Sequence, residues 1–153
     1  GILPAVDIGK SVSRVGGKTQ LRAFRTVAGD LRLSYAQFEE LESFARFGTR
    51  LDVETRKTLE RGRRVREIFK QPQYHPLSVA EQIAVLVAVN GGIFDEQSLG
   101  AVSQIESSVR VAMLKTLPEL SKRLESGLVI APEDYELILR LAREASGNSR
   151  IEK

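Results

Sequence analysis

A chain of 153 residues with 42% hydrophobic content is long enough for one well-filled core, and its 23 lysines and arginines against 20 acids leave a net charge of only +3. Despite a pI near 9.4, that excess is too small to argue for a nucleic-acid or membrane partner. The absence of cysteine excludes disulfides, thiolate metal sites and cysteine nucleophiles and fits a reducing compartment, while a single histidine, His75, excludes paired-histidine metal sites. The longest apolar run, Ile83 to Val89, falls well short of the roughly 18 residues of a membrane span, and no signal-peptide pattern opens the chain.

Taken in order, Pro4-Ala5-Val6-Asp7-Ile8 has the apolar, β-branched character of a short buried strand that Gly9 ends. With Gly1 inside such a run, the chain reads as a piece of something longer. Ser11-Val12-Ser13-Arg14-Val15-Gly16-Gly17 then sets a lone arginine between that run and a double glycine, on a strand-to-loop edge of the kind that presents functional side chains. By position alone, a structural salt bridge outweighs a chemical role for Arg14.

Thr19 is a candidate helix cap, and Leu21, Phe24, Val27, Ala28 and Leu31 recur at helical spacing, with Arg22, Arg25 and Arg32 mainly on the other face. Ser34 with Gln37 forms a capping-box pattern, and Tyr35, Phe38, Leu41, Phe44 and Ala45 continue an apolar stripe to Gly48, as a second helix or a bent continuation of the first. Asp52 is placed to cap a third segment carrying Leu59, Val65, Ile68 and Phe69, with Gly62 read as a joint. Pro72 and Pro76 hold Gln73-Tyr74-His75 in loop or extended backbone. Ser78 with Glu81 is a capping box, and the helix it starts, Val79 to Val89, is apolar nearly all round and expected at the buried centre; Asn90-Gly91-Gly92 ends it. Val102, Ile105, Val109, Ala112 and Met113 share one helix face, Pro118 breaks the run, and Leu117, Leu120 and Leu124 lead to Gly127. Pro132, Glu133 and Asp134 open a last helix, with Arg140 and Arg143 toward its end and a frayed tail from Ser146. The expectation is a mainly α chain, an all-helical bundle from about Thr19 onward, without internal repeats.

Three constellations could carry chemistry. Gly17-Lys18-Thr19 follows a strand-like run and precedes a helix, as a phosphate-binding loop does, but G-x-x-x-x-G-K-[ST] needs glycine where Val12 stands. The basic block Arg50, Arg56, Lys57, Arg61, Arg63, Arg64 and Arg66 could meet nucleic-acid phosphates. Against that, Asp52, Glu54, Glu60 and Glu67 are interleaved for helix-surface pairing, and no aromatic residue lies between Leu51 and Ile68 to stack a base. The third is Lys70-Gln71-Pro72-Gln73-Tyr74 with Pro76, a turn whose two amides could also contact a ligand.

Pro4-Ala5-Val6, Gly9, Ser11 to Gly16, Val27-Ala28-Gly29 with Leu31, Ala36-Gln37, Phe44-Ala45 with Phe47-Gly48, Lys70 to Tyr74 with Pro76, Glu81-Gln82 and Asn90-Gly91 occur together and in order. This set resembles the alpha subunit of F-type ATP synthase, convincingly from Gly1 to about Asp95 and as a helical pattern beyond. The resemblance implies the C-terminal helical bundle domain of the ATP synthase alpha/beta family at 19–153, preceded by a strand and loop remnant of the nucleotide-binding domain at 1–18. It implies a regulatory and structural subunit of the head that couples ion flow to ATP synthesis and hydrolysis, on the cytoplasmic face of the bacterial inner membrane as a peripheral part of the complex. Its partners would be beta subunits and the gamma subunit of the central stalk, with no nucleic acid and no membrane insertion. Arg14 would be an arginine finger acting on the neighbouring beta subunit's nucleotide, with Ser13 in support. Gln71, Gln73 and Pro4 would lie on the adenine side of the subunit's own non-catalytic site. ATP or ADP with magnesium would bind the full-length subunit, through a phosphate loop and metal-site strand upstream; the fragment alone is expected to hold no cofactor or metal and to be non-catalytic. Leu3 stands where the family commonly has arginine, and Gly17-Lys18-Thr19 replaces its usual small residues. The alternatives left open by the residues are a stand-alone basic helical module that binds nucleic acid and, second, a small NTPase using Gly17-Lys18-Thr19.

Overall fold

Prolines, capping side chains and apolar spacing divide the chain into seven helices among the residues that the computed structural model describes: 3–6, 8, 10–11, 13–46, 51–71 and 74–147. In order they are α1 (Arg14–Thr19), α2 (Arg22–Ala45), α3 (Val53–Ile68), α4 (Val79–Asn90), α5 (Leu99–Thr116), α6 (Pro118–Glu125) and α7 (Pro132–Ala145). The mainly α bundle expected from the sequence is what forms.

The centre is α4. None of its residues is exposed, and Ala80, Ile83, Ala84, Val87 and Ala88 are wholly buried. A helix without a polar face must be covered on every side, and α2, α5, α6 and α7 all pack against it. Its first turn is capped by the predicted box: the Ser78 hydroxyl accepts from the Glu81 amide at 3.3 Å, and the Glu81 carboxylate accepts from the Ser78 amide at 2.9 Å. Glu125 of α6 accepts a further amide of that turn, from Ala80, at 3.1 Å. At the other end Arg61 of α3 donates to the Val89 carbonyl at 3.1 Å, and Asn90 reaches the Val27 carbonyl of α2 at 2.6 Å. Gly92 then turns the backbone in the left-handed region, at φ 73°.

The α2 stripe of Ala23, Val27, Leu31, Tyr35 and Phe38 is buried along one unbroken helix. Of the two readings left open at Ser34, a continuous helix is correct, because the Ser34 hydroxyl donates back to the Leu31 carbonyl at 3.1 Å instead of starting a new element. Thr19 is likewise no cap for α2. It is the last residue of α1, its hydroxyl donating to Val15 and Gly16 carbonyls, while Leu21 holds the cap position without a side-chain bond.

Gly62 is not a joint, since α3 runs straight through it. Its missing side chain lets the α2 ring of Phe38 lie against the α3 backbone; a Cβ there would stand 2.0 Å from the ring. One turn on, Arg66 closes the same contact. Its guanidinium donates to both Glu42 oxygens at 3.0 and 2.8 Å, its Nε donates to the Tyr35 hydroxyl at 3.1 Å, and it lies 4.6 Å from the centre of the Phe38 ring.

The strand remnant is not seen. Leu3–Val6 runs as bends, and no strand occurs among the described residues. An extended segment needs a neighbouring strand to take up its backbone groups, and the bundle offers none. Beyond it, Arg14 opens a helix and does not sit on a strand-to-loop edge.

Gly62→Ala should destabilise the fold by about 1–3 kcal/mol through overpacking. Gly29→Ala, on an exposed stretch of α2 with open space around the new methyl, should instead add roughly 0.4–1 kcal/mol; thermal unfolding of the two variants checks both signs. The Arg66 hydrogen bonds hold the Glu42 carboxyl below its usual value of 4.5, so this pair stabilises the fold above that pH and the gain is lost as pH falls through the lowered pKa. Arg66→Ala should cost about 1.5–3 kcal/mol at neutral pH, the worth of charged hydrogen bonds, with a loss that shrinks in acid unfolding curves.

Candidate functional site

Ser13 is extended, at φ −130° and ψ 117°, and its hydroxyl accepts from the Gly16 amide at 2.9 Å, which starts α1 and makes Arg14 its first residue. Arg14 is exposed and makes no hydrogen bond or ion pair among the described residues, so the salt bridge favoured by position alone is not formed there. The backbone on either side of Arg14 is tied to α2. Arg32 donates to the Ser11 carbonyl at 2.7 Å, Arg25 donates to the Lys18 carbonyl at 2.5 Å, and Ile8 packs against the core.

Gly17-Lys18-Thr19 lies inside α1. The Gly16 amide is taken by the Ser13 hydroxyl and the Gly17 amide by the Ser13 carbonyl at 3.1 Å. A phosphate cradle needs such amides free and converging, so these residues form a helical turn instead.

Gln71 lines a cavity of about 530 Å³ walled by Phe24, Phe69, Leu77 and Leu86, with Thr19, Gln20, Gln82 and Glu106 as other polar groups. Gln73 and Pro72 lie outside the described residues. Tyr74, next in the motif, has φ 64° and is 89% exposed, a left-handed conformation uncommon for an aromatic residue. Pro4 is half-buried after a cis Leu3–Pro4 peptide and lines neither this cavity nor its neighbour. That neighbour, about 440 Å³, shares Gln20, Phe24, Ala28, Phe69 and Leu86 and runs to Ile8, Arg25 and Arg32. The Arg14 segment and Gln71 therefore border a common apolar wall, while Arg14 itself faces neither cavity.

The apolar pattern alone does not single out Glu106, although its register marks it: it follows Val102 by four residues and precedes Val109 by three on the buried α5 stripe. It is 9% exposed, and burial pushes its carboxyl above the usual 4.5, opposed by the nearby Arg110 charge. Arg110 Nε stands 3.5 Å from the Glu106 carboxylate without forming a hydrogen bond, and the guanidinium is 4.0 Å from Glu81.

The basic block is spent largely inside the fold. Arg61 pairs with Asp95 at 2.6 Å, Arg64 donates to the Gln97 carbonyl at 2.6 Å, Arg66 holds Glu42, and Lys57 pairs with Glu54 at 3.2 Å. Arg56 and Arg63 are exposed, and Arg50 lies outside the described residues. Among the described residues no three His, Asp or Glu side chains gather as a metal site, and no helix is long and apolar enough to cross a membrane.

A raised carboxyl pKa means that Glu106 favours folding most below pH 4.5 and that this contribution is lost as pH rises through its folded pKa. Glu106→Gln, neutral throughout, should therefore melt higher than the parent protein at pH 7, with the difference vanishing near pH 4; calorimetry across that range is the check.

A family model described as "ATP synthase alpha/beta chain, C terminal domain" matches residues 20–145. Over 145 residues the protein is 59% identical to "ATP synthase subunit alpha 2" of Syntrophus aciditrophicus, covering 95% of its own length and 28% of that relative. It is 54% identical to "ATP synthase subunit alpha 2" of Albidiferax ferrireducens, with 95% and 27% covered, and 54% identical to "ATP synthase subunit alpha 1" of a Marinomonas species, with 95% and 28% covered. The chain thus spans a little over a quarter of the length of these curated relatives. With most of its length matched, on a bundle of helices around an apolar α4, it belongs to the family of C-terminal domains of ATP synthase alpha and beta subunits.

Proposed function

We propose that the chain serves in the alpha subunit of a rotary ATP synthase, with residues 19–153 as the helical domain of the head and residues 1–18 as the end of the nucleotide-binding domain. The relatives named alpha subunits support this reading. Arg14 acts as an arginine finger toward a nucleotide held mainly by a neighbouring beta subunit, and Ser13, by capping α1, sets the direction in which it leaves the helix. The observation that carries this role is an exposed guanidinium, unpaired among the described residues, on a segment tied down on both sides. A planar, permanently charged fork suits the charge spread over a transferring phosphoryl group.

Gln71 and Gln73, with Pro4, serve the adenine side of a non-catalytic nucleotide site. The cavity at Gln71 supports this for Gln71: apolar faces and amides suit an uncharged base, and among the described residues its lining holds no cation for phosphate. The phosphates and magnesium of ATP or ADP would be held by residues other than these, since no acidic cluster gathers among the described ones. The partners are beta subunits and the central-stalk gamma subunit, in a complex peripheral to the cytoplasmic face of the bacterial inner membrane, where ion flow drives ATP synthesis.

In the assembled complex, Arg14→Ala should cut multi-site ATP turnover by about 10³-fold or more while assembly survives, and Arg14→Lys should restore little because it lacks the fork. Near-normal turnover in Arg14→Ala would remove the assignment. The chain alone should hydrolyse no ATP; turnover abolished by Lys18→Ala would point to Gly17-Lys18-Thr19 instead.

A further inference from the structure

We propose that Arg32 and Arg25 of α2 are positioning residues for Arg14, an inference that rests on the arginine-finger reading above. Arg14 lies between two carbonyls, those of Ser11 and Lys18, and each is held by one of these guanidinium groups. Arg25 and Arg32 are seven residues apart, two turns and about 10 Å along α2. The segment runs antiparallel to that helix, Lys18 at Arg25 and Ser11 at Arg32, with Ile8 beyond against the core. It therefore forms a strap with Arg14 at its outer side.

Two features make those bonds decisive. With six residues, α1 is too short to hold its own geometry, because helix nucleation outweighs one turn of hydrogen bonds. Nor is the strap held by burial: every described residue from 10 to 20 is exposed, and a 440 Å³ cavity opens between Ile8 and Gln20 along Phe24, Arg25 and Arg32. Hydrogen bonds from α2, rather than close packing, fix where Arg14 stands. A finger placed about 1 Å away from its target loses on the order of 10²-fold in rate, so the bracing acts on kcat through Arg14 and touches no substrate.

The test is a double-mutant cycle on multi-site ATP hydrolysis by the assembled complex, with kcat and KM measured separately. Arg32→Ala should lower kcat about 10- to 100-fold with KM little changed. Combining it with Arg14→Ala should cost nothing beyond Arg14→Ala alone, because both changes remove the same interaction. Arg32→Lys, which keeps a cationic donor for the Ser11 carbonyl, should regain most of the loss, unlike Arg14→Lys. If Arg32→Ala does not assemble, Arg25→Ala carries the same cycle with the same expectation. Full kcat in the α2 variants of a complex that Arg14→Ala inactivates would overturn the positioning role and leave the finger intact. Losses that multiply in the double variant, or failure of both α2 variants to assemble, would make these arginines merely structural. Full kcat in Arg14→Ala would sink the finger reading itself and this inference with it.

Discussion

The fold depends on enclosing α4. A helix whose central residues are all alanine, valine, leucine and isoleucine has no side to show to water, so four other helices must close around it. The row Ala80, Ala84 and Ala88, spaced at four and wholly buried, lets neighbours approach that side closely, while Ile83, Val87 and the residues beside them fill the rest. α3 is less deeply set and is held to α2 by a different device. There a glycine admits the Phe38 ring to the backbone, and an arginine bound to Glu42 lies over that ring.

Charge is used in this molecule mainly as strutting. Arg61, Arg64 and Arg66 lie on one helix within two turns, yet they diverge: two reach the connection between α4 and α5 at Asp95 and Gln97, and the third reaches α2 at Glu42. Arg123 does the same between α6 and α7 through Asp134, which also accepts the Ala131 amide at the start of α7. A cluster of cations in one stretch of sequence thus becomes a set of separate ties once the helices are packed, and its net pull on a polyanion is correspondingly small.

What was legible in the sequence was local. Asp52, Ser78 and Pro132 each mark a helix start by chemistry that acts within one turn, and they stand where expected, while Pro118, read as a break, also opens α6. What was not legible depended on contacts from distant residues. Gly62 resembles a break until Phe38 is placed against it, Ser34 resembles a cap until its hydroxyl turns back into the helix, and Thr19 ends a short helix set against α2 instead of starting the next. The strand-like residues near the start carry a pattern suited to a sheet, and no sheet occurs among the described residues. Of the candidate site, local chemistry favours a salt bridge for Arg14, and only its ordered company of motifs argues otherwise. The ties from Arg25 and Arg32 are invisible in the sequence, because their spacing reads as the solvent face of an amphipathic helix. Glu106 can be found as an acid in step with an apolar stripe.

Both ends of α4 are held by side chains from other helices, Glu125 at the first turn and Arg61 at the last. An isolated helix unravels from its ends, where amides and carbonyls lack partners. Here those groups are already engaged by α6 and α3, so α4 has no loose end from which to fray. Its amides should exchange with solvent deuterium only when the surrounding helices separate, as one cooperative unit and later than any other helix in the molecule.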